Sequence, residues 1–274
     1  MNRQALFSDG TADYICPVEP MEGETVSLRF RTAKDDVEKV TIISGSERIP
    51  MVKCETIGDF DYYRGEKCLG SETFYYQFEI VSGNKLCYYN KCGVSEQNVY
   101  RYYFTITPGF STPDWAKGAV MYQIFVDRFC NGDKSNDVES GEYIYIGEPV
   151  VKVEDWSKYP AAMDVREFYG GDLQGVWNKL DYLQELGIEV IYFNPLFVSP
   201  SNHKYDIQDY DYIDPHYGVI VEDGGEPVGG NVKNNIHAGM YQKRTTNLAN
   251  LEASNQFFGR LVEEIHRRGM RVIL

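Results

Sequence analysis

The chain has 274 residues, enough for one large domain or two modest ones, with 43% hydrophobic residues, 25% charged residues and a net charge of −14. This negative charge argues against nucleic acid and against an anionic membrane as a partner, because both attract basic patches. The opening MNRQALFSDG lacks an apolar core of signal-peptide length and no apolar run approaches a membrane span, so we expect no membrane association.

Residues 1–110 are predicted to form an immunoglobulin-like β-sandwich, because several short segments alternate with the period of two that is typical of strands. The clearest such segment is 25–32, and the polar residues at 82–85 predict a β-hairpin turn. Further strands are predicted at 40–43, 74–81 and 100–106. PGFSTP at 108–113 then indicates a stiff linker at the end of this domain.

From Trp115 onward the sequence alternates between strand and helix patterns. Three apolar runs predict buried strands, at 119–126, 188–193 and 271–274. Two helices are predicted between them from their capping and terminating residues, Asp172 to Gly187 and Ser254 to Gly269. This order is typical of a parallel sheet in an α/β fold.

The predicted α/β region is too short for a complete (β/α)₈ barrel, which needs about 250 residues. Only 160 residues (274 − 114) follow Asp114. We therefore expect residues 111–274 to form an incomplete barrel with strands 1–3. The chain is accordingly predicted to be the front part of a longer protein.

A loop after the first barrel strand carries four side chains with oxygen ligands within seven residues, Asn131, Asp133, Asn136 and Asp137. Hard cations such as Ca²⁺ take six to eight oxygen ligands from such groups. Asn and Asp also cluster in ordinary turns, and the spacing does not fit an EF-hand. The spacing alone leaves both explanations open.

A second polar segment, HKYD at 203–206, follows the second strand, on the edge where barrels bind ligands. Three further acids follow it, Asp209, Asp211 and Asp214, and a solvated acidic loop is the alternative explanation. The histidines have no sequence support as metal ligands. Asp172 is predicted to cap a helix, a role that stabilises the folded protein by about 1 kcal/mol.

Four motifs resemble glycoside hydrolase family 13, and within it the neopullulanase, cyclomaltodextrinase and maltogenic amylase group. They are VMYQIFVDRFCNGDKSND, FYGGDLQGVWNKLDYLQELGIEVIYFNPLF, HKYDIQDYDYIDPHYG and LVEEIHRRGMRVIL. The resemblance covers residues 115–274 almost continuously. Residues 1–110 lie where this group carries a β-sandwich of the family 34 carbohydrate-binding type, and the resemblance implies a homodimer through that domain.

The resemblance also implies roles for individual residues. It implies a Ca²⁺ site formed by Asn131, Asp133, Asn136, Asp137, the Gly170 carbonyl and Asp172. Tyr205 matches the aromatic platform under the sugar at the cleavage point, Asp206 holds that loop, and His203 belongs to the same substrate-binding segment. The family's catalytic carboxylates follow barrel strands four, five and seven, so no catalytic residue is assigned here and the chain alone is predicted to be inactive.

We therefore expect the parent protein to be a retaining glycoside hydrolase that acts on an α-glucan. It would hydrolyse or transglycosylate α-1,4 or α-1,6 bonds in maltooligosaccharides, cyclodextrin, pullulan or starch. The alternative is a non-catalytic carbohydrate-binding or assembly module. Six dispersed cysteines without a CxxC pair indicate free thiols and a cytoplasmic protein.

The segment 219–247 is longer than the family pattern and is punctuated by glycines, Gly224, Gly225, Gly229 and Gly230. Loops of this length are either functional or disordered. A lid over the glucan cleft is one explanation, and we expect a mobile insertion instead.

Overall fold

The computed structural model describes residues 1–228 and 232–274, so Gly229 and Gly230 of the inserted segment lie outside the described residues. The chain divides into two units, Met1–Asp114 and Trp115–Leu274, whereas the sequence predicts the boundary at residue 110. The strands of the first unit are β1 (Ile15–Cys16), β2 (Thr25–Ala33), β3 (Lys39–Ser44), β4 (Glu47–Pro50), β5 (Val52–Ile57), β6 (Phe60–Cys68), β7 (Phe74–Ser82), β8 (Lys85–Asn90), β9 (Gly93–Ser95) and β10 (Phe104–Ile106).

These strands form two antiparallel sheets. One has the order β1-β2-β6-β5, and the other has the order β4-β3-β7-β8-β9 with β10 paired to β7. Alternate residues of β2 are buried, and Leu28 and Phe30 share one core with Ile42 and Phe78 of the other sheet. Burial of each such side chain stabilises the fold by about 1.5–3 kcal/mol. The first unit is therefore a β-sandwich.

The predicted hairpin is confirmed, because Gly83 and Asn84 alone connect β7 to β8 and Gly83 has a φ of +57°. The single strand predicted over 100–106 is wrong in its first half. Tyr100–Tyr102 forms a 3₁₀ turn, and only Phe104–Ile106 pairs with β7. Tyrosines favour strands in general, but here the rings of Tyr100 and Tyr103 pack against each other with centroids 5.2 Å apart.

The second unit contains a short parallel sheet with helices between its strands. Its strands are β11 (Met121–Ile124), β12 (Ile144–Tyr145), β13 (Glu148–Pro149), β14 (Val151–Lys152), β15 (Glu167–Phe168), β16 (Val190–Phe193), β17 (Phe197–Val198), β18 (Asp209–Ile213) and β19 (Arg271–Ile273). Its helices are α1 (Leu173–Asn178), α2 (Leu180–Glu185), α3 (Gly239–Thr246) and α4 (Leu248–Arg267). None of the helices in the described part of the chain combines the length and the apolar composition that a membrane crossing needs.

The three predicted barrel strands pair in parallel in the order β11-β16-β19. Only β16 is largely buried as predicted, because most residues of β11 and β19 are exposed or half-buried. Helices α1 and α2 connect the first pair of strands, and α4 precedes the third. Leu173 and Leu183 from the first helices and Leu261 from α4 pack in one core with Ile191 of β16. Consecutive parallel strands that are also neighbours, with helices packed on them, are the start of a barrel.

Two helix boundaries differ from the sequence prediction. The first helix is interrupted at Lys179, although Asp172 caps it as predicted and accepts a hydrogen bond from the Gly175 N–H at 2.5 Å. The second helix begins at Leu248 and is capped by Asn247, not by Ser254. Ser254 is buried inside α4, where its hydroxyl donates to the Asn250 carbonyl at 2.8 Å and therefore satisfies no helix end.

Candidate functional site

Strands β11 and β16 end side by side, and the loops after them carry the predicted site residues. Ile124 and Phe193 are partners in the register, and the Asn194 N–H donates to the Ile124 carbonyl at 2.9 Å. The Gln123 side chain also donates to Asn194 Oδ1 at 2.7 Å. Both loops therefore leave the carboxyl edge of the sheet, where α/β barrels bind their ligands.

The six predicted cation ligands form one cluster at the first loop. The Asn131 amide donates to Asp137 Oδ1 at 2.7 Å, and the Asp133 N–H donates to Asp172 Oδ2 at 2.7 Å. The Asn136 side chain also hydrogen-bonds to Asp172. The structure thus brings together residues from two segments that are about forty positions apart in the chain.

Two amide oxygens in this cluster have no hydrogen-bond partner in the part of the chain that the structure describes. Asn131 Oδ1 and Asn136 Oδ1 are buried and accept no hydrogen bond from any described residue. The amide N–H₂ groups of the same side chains are satisfied, that of Asn136 by the Gly218 carbonyl at 3.0 Å. A buried acceptor without a donor costs about 1–3 kcal/mol, and a cation bound to both oxygens would remove that cost.

Gly170 lies against the same oxygen atoms. It has a φ of +77°, and a Cβ at this position would lie 2.4 Å from Asp137 Oδ1 and 2.6 Å from Asn131 Nδ2. Only glycine therefore fits here without moving the candidate ligands. Its position is consistent with the carbonyl role that the family resemblance implies.

The acids of the cluster differ in their surroundings. Burial raises the pKa of Asp137 above its usual range, although Lys152 lies 3.1 Å from its Oδ2 atom. Burial also raises the pKa of Asp172 to about 6, against the effect of three backbone N–H donors. The Asp133 carboxylate instead accepts from the N–H and hydroxyl of Ser135, at 2.9 and 2.6 Å.

These observations fit a hard cation, which prefers amide, carboxylate and carbonyl oxygens. Within residues 1–228 and 232–274 no three His, Cys, Asp or Glu side chains are grouped so that they could hold a metal ion. A cation in this cluster would therefore depend on the two Asn oxygens and a backbone carbonyl as well as on Asp137. The ligand roles of the six residues stay a prediction.

Tyr205 projects from the second loop, with 60% of its surface exposed. Its N–H donates to His203 Nδ1 at 3.1 Å, and the two rings lie 5.8 Å apart. Asp206 accepts from the Ser199 hydroxyl at 2.6 Å and also from the hydroxyls of Ser201 and Tyr145. The three predicted substrate-binding residues therefore lie together, and their contact with a sugar stays a prediction.

Lys204, next to Tyr205, is almost completely buried, which its sequence position gives no reason to expect. Its ammonium group lies 2.6 Å from Asp214 Oδ2 and donates to the Ser199 carbonyl at 2.8 Å. Lys204 also has a φ of +58°, a left-handed conformation that is unusual for a residue with a side chain. These contacts fix the backbone on the N-terminal side of Tyr205.

His216 is a site residue that sequence reasoning missed. Its ring is buried between two carboxylates, with Nδ1 2.9 Å from Asp214 Oδ1 and Nε2 2.8 Å from Glu142 Oε1. Burial disfavours the charged ring, but Glu142 and Asp214 outweigh this effect and raise its pKa to about 9. Glu142 is 74 residues away in the chain, so no local pattern could have indicated the pair.

Asp127, three residues after the end of β11, is a buried acid that the sequence does not single out. Its carboxylate accepts from the Tyr169 N–H at 3.0 Å and from the Gly170 N–H at 3.2 Å. Burial raises its pKa to about 7 despite these donors. It connects the end of the first strand to the segment that carries Gly170. An acid directly after the predicted strand 119–126 was the available signal.

Comparison with known protein families agrees with this geometry. Residues 1–108 match the alpha amylase N-terminal Ig-like domain, and residues 123–223 match the alpha amylase catalytic domain. The chain belongs to the alpha-amylase family over these residues. The fold prediction is thereby confirmed: an Ig-like β domain is followed by the start of an alpha-amylase catalytic barrel.

Several named proteins are similar to this alpha-amylase family chain. A cyclomaltodextrinase of Thermoanaerobacter pseudethanolicus is 34% identical over 234 residues, 80% of this chain and 38% of that protein. Neopullulanase 2 of Thermoactinomyces vulgaris is 31% identical, over 99% of this chain and 40% of its own length. An intracellular maltogenic amylase of Bacillus subtilis is 31% identical, over 92% of this chain and 38% of its own length.

A solved cyclomaltodextrinase structure is 29% identical with a TM-score of 0.49, covering 100% of this chain and 41% of that one. The chain thus spans about two fifths of the length of the relatives that it matches.

Proposed function

We propose that this chain is the front part of an α-glucan-acting glycoside hydrolase and supports the sugar at the point of cleavage. The observation that carries the proposal is Tyr205, whose ring is exposed while both of its chain neighbours are anchored by hydrogen bonds. An aromatic face held in this way can stack on the apolar face of a glucose ring. The names of the relatives, among them cyclomaltodextrinase and neopullulanase, support an α-glucan as the ligand.

In this proposal the chain contributes binding and orientation, not bond cleavage. Retaining glycosidases need two carboxylates about 5 Å apart across the bond, one as nucleophile and one as acid/base. The resemblance assigns these groups to later barrel strands, so the parent protein would supply them. Whether the parent hydrolyses or transglycosylates, and which linkage it prefers, would then depend on those later strands.

The proposal is tested by binding of maltotriose and β-cyclodextrin to the 274-residue chain, measured by isothermal titration calorimetry. Tyr205→Ala should weaken binding on the order of tenfold or more, because each 1.4 kcal/mol of lost interaction is a factor of ten. Tyr210→Ala is the matched control, since Tyr210 is 70% exposed in the same segment. Equal affinity in wild type and Tyr205→Ala, or equal losses in both variants, would contradict the platform role.

We also propose that Ca²⁺ binds the cluster of Asn131, Asp133, Asn136, Asp137, Gly170 and Asp172. The two buried amide oxygens without donors support this proposal. Ca²⁺ would supply charge neutralisation for the buried acids and cross-link the two segments. Asn131, Asp133, Asn136 and Asp137 would hold it from one segment, and Gly170 and Asp172 from the other.

The calcium proposal has a matched pair of variants. Asp133 and Asp155 each accept from the N–H and hydroxyl of the serine two residues later, with the same distances of 2.9 and 2.6 Å. Asp133→Ala and Asp155→Ala therefore break the same kind of turn, but only Asp133→Ala should reduce the heat of calcium binding. Identical calcium titrations for the two variants would exclude Asp133 as a ligand.

A carbohydrate-binding role for the first unit is the second candidate function. A cavity of about 580 Å³ in this unit is lined by Tyr75 and Tyr100, which are 40% and 63% exposed with ring centroids 5.4 Å apart. Two exposed tyrosines beside a cavity support sugar binding that does not depend on Tyr205. Maltotriose binding that survives Tyr205→Ala and is lost in Tyr100→Ala would favour this role.

We further propose a cytoplasmic location and a homodimer formed through the first unit. All six cysteines are free thiols, which supports a reducing compartment. The outer strand β5 exposes Val52 and Ile57, at 71% and 53%, which supports a protein contact there. Light scattering should give a dimer mass that Val52→Lys reduces to the monomer. A monomeric wild-type chain would contradict the dimer.

A further inference from the structure

Helix α3, in the described part of the inserted segment, is anchored by a buried arginine. Arg244 lies in α3 and is 4% exposed. Its Nη1 atom donates to Glu142 Oε2 at 2.9 Å and to the Asp137 carbonyl at 3.0 Å. Its Nε and Nη2 atoms donate to the two oxygens of Asp223, each at 2.8 Å. The expectation of a mobile insertion is therefore wrong for the part that contains α3.

From Arg244 a chain of buried charges leads to the Tyr205 loop. Glu142 contacts Arg244 through one oxygen and His216 through the other. His216 contacts Asp214 through its second ring nitrogen, and Asp214 contacts Lys204 through its second oxygen. The charges alternate in sign along this chain, and each of the five side chains is at most 5% exposed.

Such a chain transmits the loss of one charge to its neighbours. Removal of one partner leaves one side of the next buried, charged group without its contact, which is unfavourable in a low-dielectric interior. The group must then move, find water or change its protonation. Each of Glu142, His216 and Asp214 uses two different atoms for its two neighbours, so none can compensate for one loss without weakening its other contact.

We propose that Arg244 is a positioning residue for Tyr205. It acts through Glu142, His216 and Asp214 on Lys204, whose left-handed backbone and buried ammonium group set the direction in which the Tyr205 loop leaves the fold. Helix α3 thereby controls the order of the sugar platform. The inference rests on the proposed function only in taking Tyr205 as the group that contacts the sugar.

Hydrogen–deuterium exchange of the 274-residue chain tests the coupling directly. The amides of Lys204 and Tyr205 donate within the loop, to Ser201 Oγ and His203 Nδ1 at 3.1 Å, and their exchange reports its order. Arg244→Met should accelerate these two amides on the order of tenfold, and Arg244→Lys should restore part of the protection. Lys243→Met is the matched control, because Lys243 is next to Arg244 in the chain but its more exposed side chain pairs only with Glu222 among the described residues.

Calorimetric binding of maltotriose is measured on the same variants. Arg244→Met should weaken it on the order of tenfold, as Tyr205→Ala does, because both remove the platform from its bound position. If Arg244→Met does not fold, Glu142→Gln replaces it, since this change keeps the size of the side chain and removes the charge.

Accelerated exchange that is confined to α3, or that is equal throughout the second unit, would overturn the inference in favour of a local or merely structural role. An effect of Lys243→Met equal to that of Arg244→Met would also overturn it. Coupled exchange in a chain that binds no maltotriose would support the positioning role and contradict the proposed function, so the two failures are distinguishable.

Discussion

Deprotonation of His216 is expected to destabilise the second unit as the pH rises from 6.5 to about 9. The folded chain raises the pKa of His216 to about 9, whereas the ordinary value is 6.5. The folded state therefore binds the proton more tightly than the unfolded state does. The stabilisation by the charged ring is complete below pH 6.5 and is lost as the pH passes through the folded-state pKa.

The size of the effect follows from this interval of 2.5 pH units. At about 1.4 kcal/mol per pH unit, the charged ring contributes about 3 kcal/mol to the free energy of unfolding below pH 6.5. The side chain is 3% exposed, so solvent screens this contribution little. The physical cause is the position of the ring between Asp214 and Glu142.

Urea unfolding, monitored by tryptophan fluorescence, reports on the second structural unit alone, because this unit contains all three tryptophans, Trp115, Trp156 and Trp177. Wild type should lose about 3 kcal/mol between pH 6.5 and 9.5, and His216→Gln should lose far less. Asp127 and Asp172 also have raised pKa values, of about 7 and 6, but they titrate in both proteins and cancel in the difference.

The exposed His266 provides the control, and His266→Gln should keep the wild-type pH dependence. The reasoning is refuted if wild type and His216→Gln lose the same free energy of unfolding over this pH range.

Three further predictions follow from the same unit. Gly170→Ala should cost about 2–5 kcal/mol of unfolding free energy in urea titrations, because the strain of a left-handed backbone adds to that of a Cβ contact of 2.4 Å. Gly187→Ala, at a φ of +82° but with open space around the Cβ, should cost only about 1–2 kcal/mol. Equal losses in the two variants would contradict the crowding at Gly170. Asp172→Ala should lower the free energy of unfolding by about 1 kcal/mol or more, because the helix cap is lost. It should also weaken calcium binding, as measured by calorimetry. A variant as stable as wild type would refute the capping role. The purified 274-residue chain should turn over neither maltooligosaccharides, cyclodextrin nor pullulan, since the resemblance assigns the carboxylates to later strands; activity that survives removal of contaminating amylase would contradict this.

Features that depend on near neighbours in the chain could be predicted from the sequence. Alternation along 25–32 was sufficient for β2, and Asp172 was sufficient for the start of α1, because period and capping are local properties. The motif order predicted the alpha-amylase family and the Ig-like and barrel domains, which the comparisons confirm. The candidate ligands at 131–137 were visible because they are adjacent in the chain.

The polar groups that meet inside the second unit come from distant parts of the chain, so their contacts could not be predicted before the fold was known. Glu142 lies 74 residues from His216 and 102 from Arg244, so no spacing in the sequence could have joined them. Asn247 and Ser254 are equally good caps by residue type, and the packing of Ser254 inside α4 selected Asn247. Burial and the choice of partner depend on distances in space, and these decide whether a charged side chain is a solvated surface group or one link in a buried chain.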